Sequence, residues 1–365
     1  MKVLCTKENL QAGLGMVSRV STKNLTLPIL GNVLIRAESG GLFLSATNLE
    51  VGVVVRVRAK VTKEGALTVQ GRLIADFVGL LENDKVELTG DGSSLRIVGE
   101  SSETTIRGIP ADDFPIIPTV PRVRRVQVEA DAFRLALNQV LFAAAQDSSR
   151  PEISGVFLSI NGQQLTLAAT DSYRLAERTL KIESPGIEHT TIIPNRALFE
   201  LSRILPGEGQ VEIFFGDSQV LFVTDSVELT TRLIEGQYPD YKQIIPDSAA
   251  TQVTAEVEAL AKLVKTASLF CKPGINDVTL ILSSDKKSLS CSSANTELGE
   301  HHGVLKADVS GKENTIVFNY RYFLDGLVNI GATRVQLGVI DSSSPGVLRP
   351  EGQTEYLYLL MPIRQ

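Results

Sequence analysis

The stretch LTLAATDSYRLAERTL, residues 165–180, decides how the rest of the chain is read. Apolar and polar residues alternate into Thr170-Asp171-Ser172-Tyr173-Arg174, and the alternation resumes at Leu175-Ala176. Period-two alternation is the signature of a half-buried strand, and Asp and Ser in the break favour a tight turn. A tyrosine and an arginine on such a turn fit either catalysis or docking. The same pattern recurs as LFLSATNLEVG (42–52) and more weakly as LSCSSANTELG (289–299), so Asn48, Asp171 and Asn295 stand 123 and 124 residues apart.

A second set of matches keeps that spacing. QGRLIADFVGLL (70–81), PNRALFELSRIL (194–205) and NYRYFLDGLVNI (319–330) each place one arginine, Arg72, Arg196 or Arg321, ahead of a helical apolar pattern. Strand-like KVELTGD (85–91), QVEIFFGD (210–217) and RVQLGVID (334–341) follow, and TTIRGIPADDFP (104–115) matches TTRLIEGQYPDY (230–241). Anchors in one order at one spacing indicate three homologous domains, about 1–120, 121–245 and 246–365, each large enough to bury its own core. FPIIPTVPRVRR (114–125) and YPDYKQIIPDSAATQ (238–252) connect them; three prolines in eight residues keep the first connector out of a helix.

Each unit reads helix, strands, helix, strands. First helices are expected near 8–20, 131–145 and 256–270, and second helices begin at the repeated arginines. In the middle unit Phe133, Ala136, Leu137, Val140, Leu141 and Ala144 follow helical spacing, as do Leu198, Leu201, Ile204 and Leu205. Segments such as GVFLSI, QQLTLAAT and SQVLFVT alternate and end at turn residues, the pattern of antiparallel hairpins with one buried face. The fold class is α+β, antiparallel sheet with two helices per unit and six per chain.

With 43% hydrophobic and 21% charged residues, the 365-residue chain has an ordinary globular composition. No apolar run reaches the roughly 18 residues that span a bilayer, and MKVLCTKENL lacks a signal peptide's apolar core. Cys5, Cys271 and Cys291 are far apart with no CxxC, which points to a reducing cytoplasm and away from disulfides or zinc. The net charge of −6 argues against tight phosphate neutralisation over the whole surface, though not against basic residues gathered on one face. Arg134 lies off the apolar stripe of its helix, Arg196 and Arg203 share a face, and so do Lys262 and Lys265; Arg19, Lys23, Arg72 and Arg321 complete the set. Asp76, Glu200 and Asp325 dilute it. Such faces are either ordinary solvated surface or a thin cationic lining that touches phosphates without reading bases. With 5% aromatic residues and no Trp, no stacking platform for single strands is present.

Enzyme-like fragments are incomplete. GLGMVSRV (13–20) lacks the strand, third glycine and acidic residue of a dinucleotide site. His301-His302 has no ligand set at metal spacing beside it, and His189 would have to serve a triad alone. Cys271 beside Lys272 reads either as an activated thiol or as a buried one. Asp112-Asp113 and Asp240 read as turn initiators. No constellation supports covalent, acid–base or metal chemistry, so no cofactor or metal is expected.

The three repeats, together with TLPILGN (26–32), ATDSYRLA (169–176), YPDY (238–241) and the terminal YLLMPIRQ (358–365), resemble the bacterial DNA polymerase sliding clamps, the beta subunits of replicative polymerases. The resemblance runs the full length. It implies helices inside and sheet outside, two chains joined head to tail in a six-domain ring, and twelve helices around duplex DNA. It implies a non-catalytic processivity factor of a polymerase holoenzyme, acting in DNA replication and repair. Position by position, it implies a DNA-facing surface of Arg19, Lys23, Arg72, Arg134, Arg150, Arg196, Arg203, Lys262, Lys265 and Arg321.

At the subunit boundary the resemblance implies Leu73, Phe77, Thr104 and Ile106 against Leu269 and Phe270; intradomain core is the alternative for these apolar residues. It also implies a pocket for short Gln/Leu/Phe-containing peptides of the replicative polymerase, clamp loader, other polymerases and repair proteins. Its residues are Ile153, Thr170, Ser172, Tyr173, Arg174, Leu175, Pro239, Gln243, Ile244, Leu359, Leu360, Met361, Pro362, Ile363 and Arg364. Gln243 stands where some relatives carry Arg, and Gln365 ends the chain; both bear on peptide preference. A monomeric peptide-binding scaffold without DNA encirclement, and a hydrolase or nuclease at the Asp171 turn, are the competing readings.

Overall fold

The alternating segments form strands, and the arginine-led segments form helices. The computed structural model describes residues 1–21, 26–82, 84–100, 102–123, 125–147, 149–184 and 186–364. The first repeat runs β1 (Lys2–Thr6), α1 (Lys7–Val17), β2 (Asn32–Glu38), β3 (Gly41–Thr47), β4 (Val51–Val57), β5 (Ala59–Lys63), β6 (Gly65–Gln70), α2 (Gly71–Leu80), β7 (Lys85–Gly90), β8 (Ser94–Val98) and β9 (Glu103–Ile109). The middle repeat runs β10 (Arg125–Glu129), α3 (Ala130–Leu141), α4 (Pro151–Ser154), β11 (Gly155–Asn161), β12 (Gln164–Thr170), β13 (Arg174–Lys181), β14 (Glu188–Pro194), α5 (Asn195–Ile204), β15 (Gln210–Phe215), β16 (Gln219–Val223) and β17 (Val227–Arg232). The third runs β18 (Thr251–Glu256), α6 (Val257–Ser268), β19 (Asp277–Ser283), β20 (Ser288–Asn295), β21 (Gly299–Lys306), β22 (Asp308–Gly311), β23 (Asn314–Asn319), α7 (Tyr320–Val328), β24 (Arg334–Val339), β25 (Gly346–Pro350) and β26 (Tyr356–Leu360).

Among the described residues there are seven helices, not the expected six. The extra one, α4, is a single turn started by Pro151, whose fixed φ suits the first helical position. The first helices also stop short of their expected ends. Ala143 N–H bonds Val140 O at 3.0 Å and Leu269 N–H bonds Thr266 O at 3.3 Å, three-residue bonds that tighten and close α3 and α6. Asp112 and Asp113 do sit in a short 3₁₀ turn, Ala111–Asp113.

The contacts divide the chain into two compact units. Unit 1 comprises residues 1–131, 182–185 and 196–233; unit 2 comprises 132–181, 186–195 and 234–365. The middle repeat therefore contributes strands to both, and the pairing explains why. In unit 1, β17 pairs antiparallel with β4, Leu229 opposite Val53, so one sheet runs β10-β15-β16-β17-β4-β3-β2-β6-β9-β8-β7-β1-β5. In unit 2, β13 pairs with β26, Leu175 opposite Leu359, giving the order β14-β11-β12-β13-β26-β25-β24-β18-β22. A separate sheet, β21-β20-β19-β23, completes unit 2. One rule covers both junctions: the last strand of one repeat's hairpin sheet pairs with the last strand of the next repeat.

In unit 1 the core lies between sheet and helices, with Leu10, Leu14 and Val17 of α1 and Ile74 and Val78 of α2 fully or almost fully buried. In unit 2, Phe323 and Leu327 of α7 are buried, with the Phe323 ring 5.7 Å from that of Phe318. Tyr356 Oη donates to Gln139 O at 3.1 Å, and Gln139 Nε2 donates to Ile330 O at 3.1 Å, so two buried hydrogen bonds tie α3 to the third repeat, while Gln139 Oε1 is left without a partner.

The fit of α7 onto β26 depends on Gly326, where a Cβ would stand 2.3 Å from the Tyr358 ring. Gly326→Ala overpacks this contact and is expected to lower unfolding free energy by about 1–3 kcal/mol, read as a lower denaturant midpoint.

Candidate functional site

The β12–β13 turn is built almost entirely by its own side chains. Asp171 Oδ1 accepts the N–H groups of Tyr173 and Arg174, both at 3.0 Å. Thr170 Oγ1 accepts Ser172 N–H at 3.1 Å and donates to Arg174 O at 2.6 Å. This double capture holds Ser172 at φ +77°, a left-handed conformation uncommon outside glycine. The first repeat builds the same turn: Asn48 captures Glu50 and Val51, Thr47 accepts Leu49 N–H, and Leu49 has φ +74°. The third copy differs. Ala294 replaces the threonine; Asn295 Oδ1 still accepts Glu297 N–H at 2.8 Å, but Asn295 pairs with Gly299, at φ +104°, one residue further on than in the Asn48–Val51 and Asp171–Arg174 pairings. The sequence repeat is threefold, but the Thr-Asx geometry is twofold.

Arg174 does not project from this turn. Its side chain is 11% exposed, with Nε donating to Asp171 Oδ2 at 2.8 Å and Nη1 to Asp325 Oδ2 on α7 at 2.6 Å. Its guanidinium lies 4.5 Å from the Tyr322 ring centroid and 5.5 Å from that of Phe142. Burial by itself would lower the guanidinium pKa; the Tyr358 oxygen and the Asp325 and Asp171 carboxylates outweigh it and hold the pKa above its ordinary value. Tyr173 is the opposite case: its side chain is exposed and its ring stacks on Tyr322 at 6.4 Å.

Below the turn, Ile153, Leu175 and Leu359 share one buried cluster with Ala168, Tyr238 and Tyr241, and Met361 packs against it half-buried. Thr170 and Leu360 are buried, while Pro239, Pro362 and Ile363 are half-buried and Ser172, Gln243, Ile244 and Arg364 exposed. The segment after β26 is fixed by Met361 N–H to Tyr173 O at 2.9 Å and Ile363 N–H to Val317 O at 2.8 Å. Gln243 Nε2 donates to Asp240 Oδ2 at 2.9 Å. An apolar floor and a mixed polar rim thus converge within unit 2; Gln365 lies outside the described residues.

Sequence reasoning singled out YPDY but gave Tyr238 and Tyr241 no role. Tyr238 stacks on Phe157 at 5.2 Å, and Tyr241 Oη donates to Glu177 Oε2 at 2.5 Å, fixing the 238–244 segment over the floor. Burial, and then Glu177, push the Tyr241 phenol pKa up. Asp325 was read only as a charge that dilutes the basic face; no local pattern reveals that it meets an arginine 151 residues away.

The helix-borne basic residues stand off the buried stripes. Arg72, Arg196, Arg203, Lys262, Lys265 and Arg321 are exposed, Arg134 is half-buried, and Arg19 is exposed just after α1. In unit 1, Arg19 and Arg203 line one cleft of about 770 Å³ with Lys7, and Glu8, Glu82 and Asp84 share the lining. Arg72 is paired with Asp76 at 3.8 Å. Lys23 lies outside the described residues. Arg150 sits beside the β12–β13 turn, bonded to Ser172 Oγ at 3.0 Å and Glu152 Oε1 at 3.3 Å. Of the boundary residues, Leu73 and Leu269 are exposed, Phe77, Thr104 and Phe270 half-buried, and Ile106 buried within unit 1. Phe270 stacks on His301 at 5.8 Å.

The activated-thiol alternative at Cys271 does not hold. Burial raises its pKa, and Sγ donates to Asp277 O at 2.8 Å. Among the described residues no three His, Cys, Asp or Glu side chains are grouped to hold a metal, and no helix is long and apolar enough to cross a membrane.

Comparison with known proteins supplies the family. Models of the DNA polymerase III beta subunit match in order: the N-terminal domain over residues 1–118, the central domain over 127–240 and the C-terminal domain over 242–364. The beta sliding clamp of Synechocystis sp. is 32% identical over 388 residues, covering 100% of this chain and 99% of the relative. That of Streptomyces coelicolor is 30% identical over 377 residues with the same coverage. The sliding clamp of Pseudomonas aeruginosa bound to griselimycin superposes with a TM-score of 0.95 at 28% identity over 100% of both chains. The Bacillus subtilis DNA polymerase sliding clamp gives 0.93 at 26% identity, over 100% of this chain and 99% of that one.

Thr170→Val keeps the turn's shape but deletes the hydroxyl that serves Ser172 N–H and Arg174 O. It is expected to cost about 1–3 kcal/mol in chemical denaturation, because Ser172 N–H loses its acceptor and Arg174 O keeps only the longer bond from Asp171 N–H.

Proposed function

The chain belongs to the DNA polymerase III beta subunit family and is a sliding clamp, a DNA polymerase processivity factor, and on that premise we propose that two copies close head to tail around duplex DNA. The observation that carries this reading is the pairing rule between repeats. Two junctions are made within the chain, β17 with β4 and β13 with β26. By the same rule the third repeat's β21 calls for the first repeat's β9. Among the described residues β21 pairs only with β20, and the Glu103–Arg107 stretch of β9 pairs only with β8. An unpaired edge exposes backbone donors and acceptors that a second strand satisfies. Apolar surface accompanies each edge: Leu73 and Leu80 on α2, and Leu269, Leu298 and Val304 around β21. The interface is isologous in neither half, so two such contacts close a dimer.

In this reading the three clamp domains, 1–120, 121–245 and 246–365, turn their helices toward DNA. Arg19, Lys23, Arg72, Arg134, Arg196, Arg203, Lys262, Lys265 and Arg321 give weak, salt-sensitive phosphate contact, with Arg150 at their margin. Net charge −6 suits this, because a ring held by topology gains nothing from tight electrostatic binding. The protein is a non-catalytic cytoplasmic subunit. Its groove, from Ile153 and the 170–175 turn to Pro239, Gln243, Ile244 and the 359–364 segment, takes short Gln/Leu/Phe-containing peptides of the replicative polymerase, clamp loader, other polymerases and repair proteins. Half-buried Met361 gives the floor the adaptability that several partners require.

Sizing tests the dimer. The wild type is expected at about twice the 39.5 kDa chain mass, and Leu269→Asp, at a side chain 69% exposed in the single chain, is expected to fold and run as a monomer. A wild-type monomer at micromolar concentration would favour the monomeric scaffold instead. For the groove, a labelled peptide is expected to bind near 1 μM, about −8 kcal/mol. Met361→Ala weakens it at least about tenfold with the dimer intact, a loss of about 1.4 kcal/mol. Unchanged affinity would reject the groove.

A further inference from the structure

Arg174 carries more of the groove's architecture than its place in the sequence indicates. We infer that Arg174 is a positioning residue: Asp325 and Tyr322 of α7 hold it, and through it the third repeat sets the position of the docking turn of the middle repeat. The inference rests on the groove reading above and goes beyond it, because it assigns Arg174 no contact with the peptide.

Three observations carry it. First, the guanidinium is spent internally on Asp171 and Asp325, with Tyr322 and Phe142 rings beside it and the Tyr358 hydroxyl in reach. That hydroxyl itself donates to Tyr322 O at 2.9 Å, so the charged and polar groups around Arg174 form one closed set. A group with 11% of its side chain exposed and its Nε and Nη1 already donating to carboxylates presents little to a ligand. Secondly, the turn does not need an arginine to form. The first repeat makes the same Thr-Asx turn with the same left-handed residue, and Val51 stands where the middle repeat has Arg174. What Arg174 adds is therefore the link from the turn to α7. Thirdly, Tyr322 serves two residues of the turn at once: its ring faces Arg174 and stacks with Tyr173. Tyr173 O in turn accepts Met361 N–H, so α7, the turn and the C-terminal segment are linked through consecutive contacts. Side chains at a recognition site are effective only when a supporting shell fixes them, and here that shell comes from another repeat.

The test measures affinity for a short fluorescein-labelled synthetic peptide carrying Gln, Leu and Phe, on the full-length dimer, by fluorescence polarisation. Asp325 is half exposed, so Asp325→Asn is expected to fold. It should weaken the peptide about tenfold, the scale of a lost hydrogen bond between charged groups, and Asp325→Glu should restore most of the affinity. Arg174→Gln should also weaken binding, and the double variant should be no weaker than the worse single variant, since both act through one pair. Tyr322→Leu, which removes the ring but no charge, should weaken binding independently. The inference is overturned if Asp325→Asn and Tyr322→Leu bind as wild type while Arg174→Gln does not, because Arg174 then meets the peptide directly. It is also overturned if the Arg174 and Asp325 losses simply add. Met361→Ala serves as the separate control: a loss there with none at Asp325 rejects only the positioning role, whereas no loss at either site rejects the groove itself.

Discussion

The structure depends on backbone hydrogen bonds that cross from one repeat to the next. In unit 2 the strand Tyr356–Leu360 lies between β13 of the middle repeat and β25 of its own, and all five of its side chains are buried. A strand with partners on both sides satisfies its donors and acceptors without water, so it can be apolar throughout. That placement brings Leu359 onto the same floor as Leu175 and carries Met361 to the carbonyl of Tyr173. In unit 1 the β17–β4 ladder does the equivalent work, and Arg232 N–H bonds Glu50 O at 3.1 Å where unit 2 has Met361 and Tyr173. The proposed docking groove and the proposed closure between copies both follow from lending a strand to the neighbouring repeat.

A common scaffold leaves room for local specialisation. Asn48 and Asp171 cap their turns alike, yet Glu50 and Val51 stand where the middle repeat carries Tyr173 and Arg174. Tyrosine supplies an exposed face at low entropic cost, and arginine supplies a buried cation that two carboxylates can hold. The function proposed is recognition of partners together with loose retention on DNA, and neither needs an activated nucleophile or a metal. The helices show the same economy: their basic residues, half-buried Arg134 apart, are exposed, spaced and partly offset by neighbours such as Asp76, which suits the weak DNA contact proposed for them.

Much of the fold was legible because its signals are local and repeated. Period-two alternation located the hairpins, apolar stripes such as Leu198–Leu201–Leu205 located the helices, and equal spacing of Arg72, Arg196 and Arg321 revealed the three repeats. Helix ends were less legible, since the three-residue bonds closing α3 and α6 leave no strong mark in sequence; Pro151 does mark α4, but one turn is too short to show a period. Of the groove, the turn was visible while its brace was not. The Arg174–Asp325 pair, the Gln139–Tyr356 bond and the Tyr241–Glu177 bond join residues 151, 217 and 64 positions apart, and no window along the chain contains both ends. The third copy of the turn matches in part: Asn295 caps Glu297 and Leu298 as Asn48 and Asp171 cap their turns, but Ala294 brings no hydroxyl and the backbone takes one residue more to reach its partner strand at Gly299.

The central claim is that the protein is held on DNA by topology rather than by affinity. It is tested most directly by assembling the clamp with a clamp loader on singly nicked circular plasmid and measuring retention by gel filtration at high salt, before and after a single cut linearises the DNA. The account predicts that the protein stays with the circle, because screening removes only the weak phosphate contacts, and is lost once the DNA has free ends. Equal retention on circular and linear DNA at high salt would contradict it.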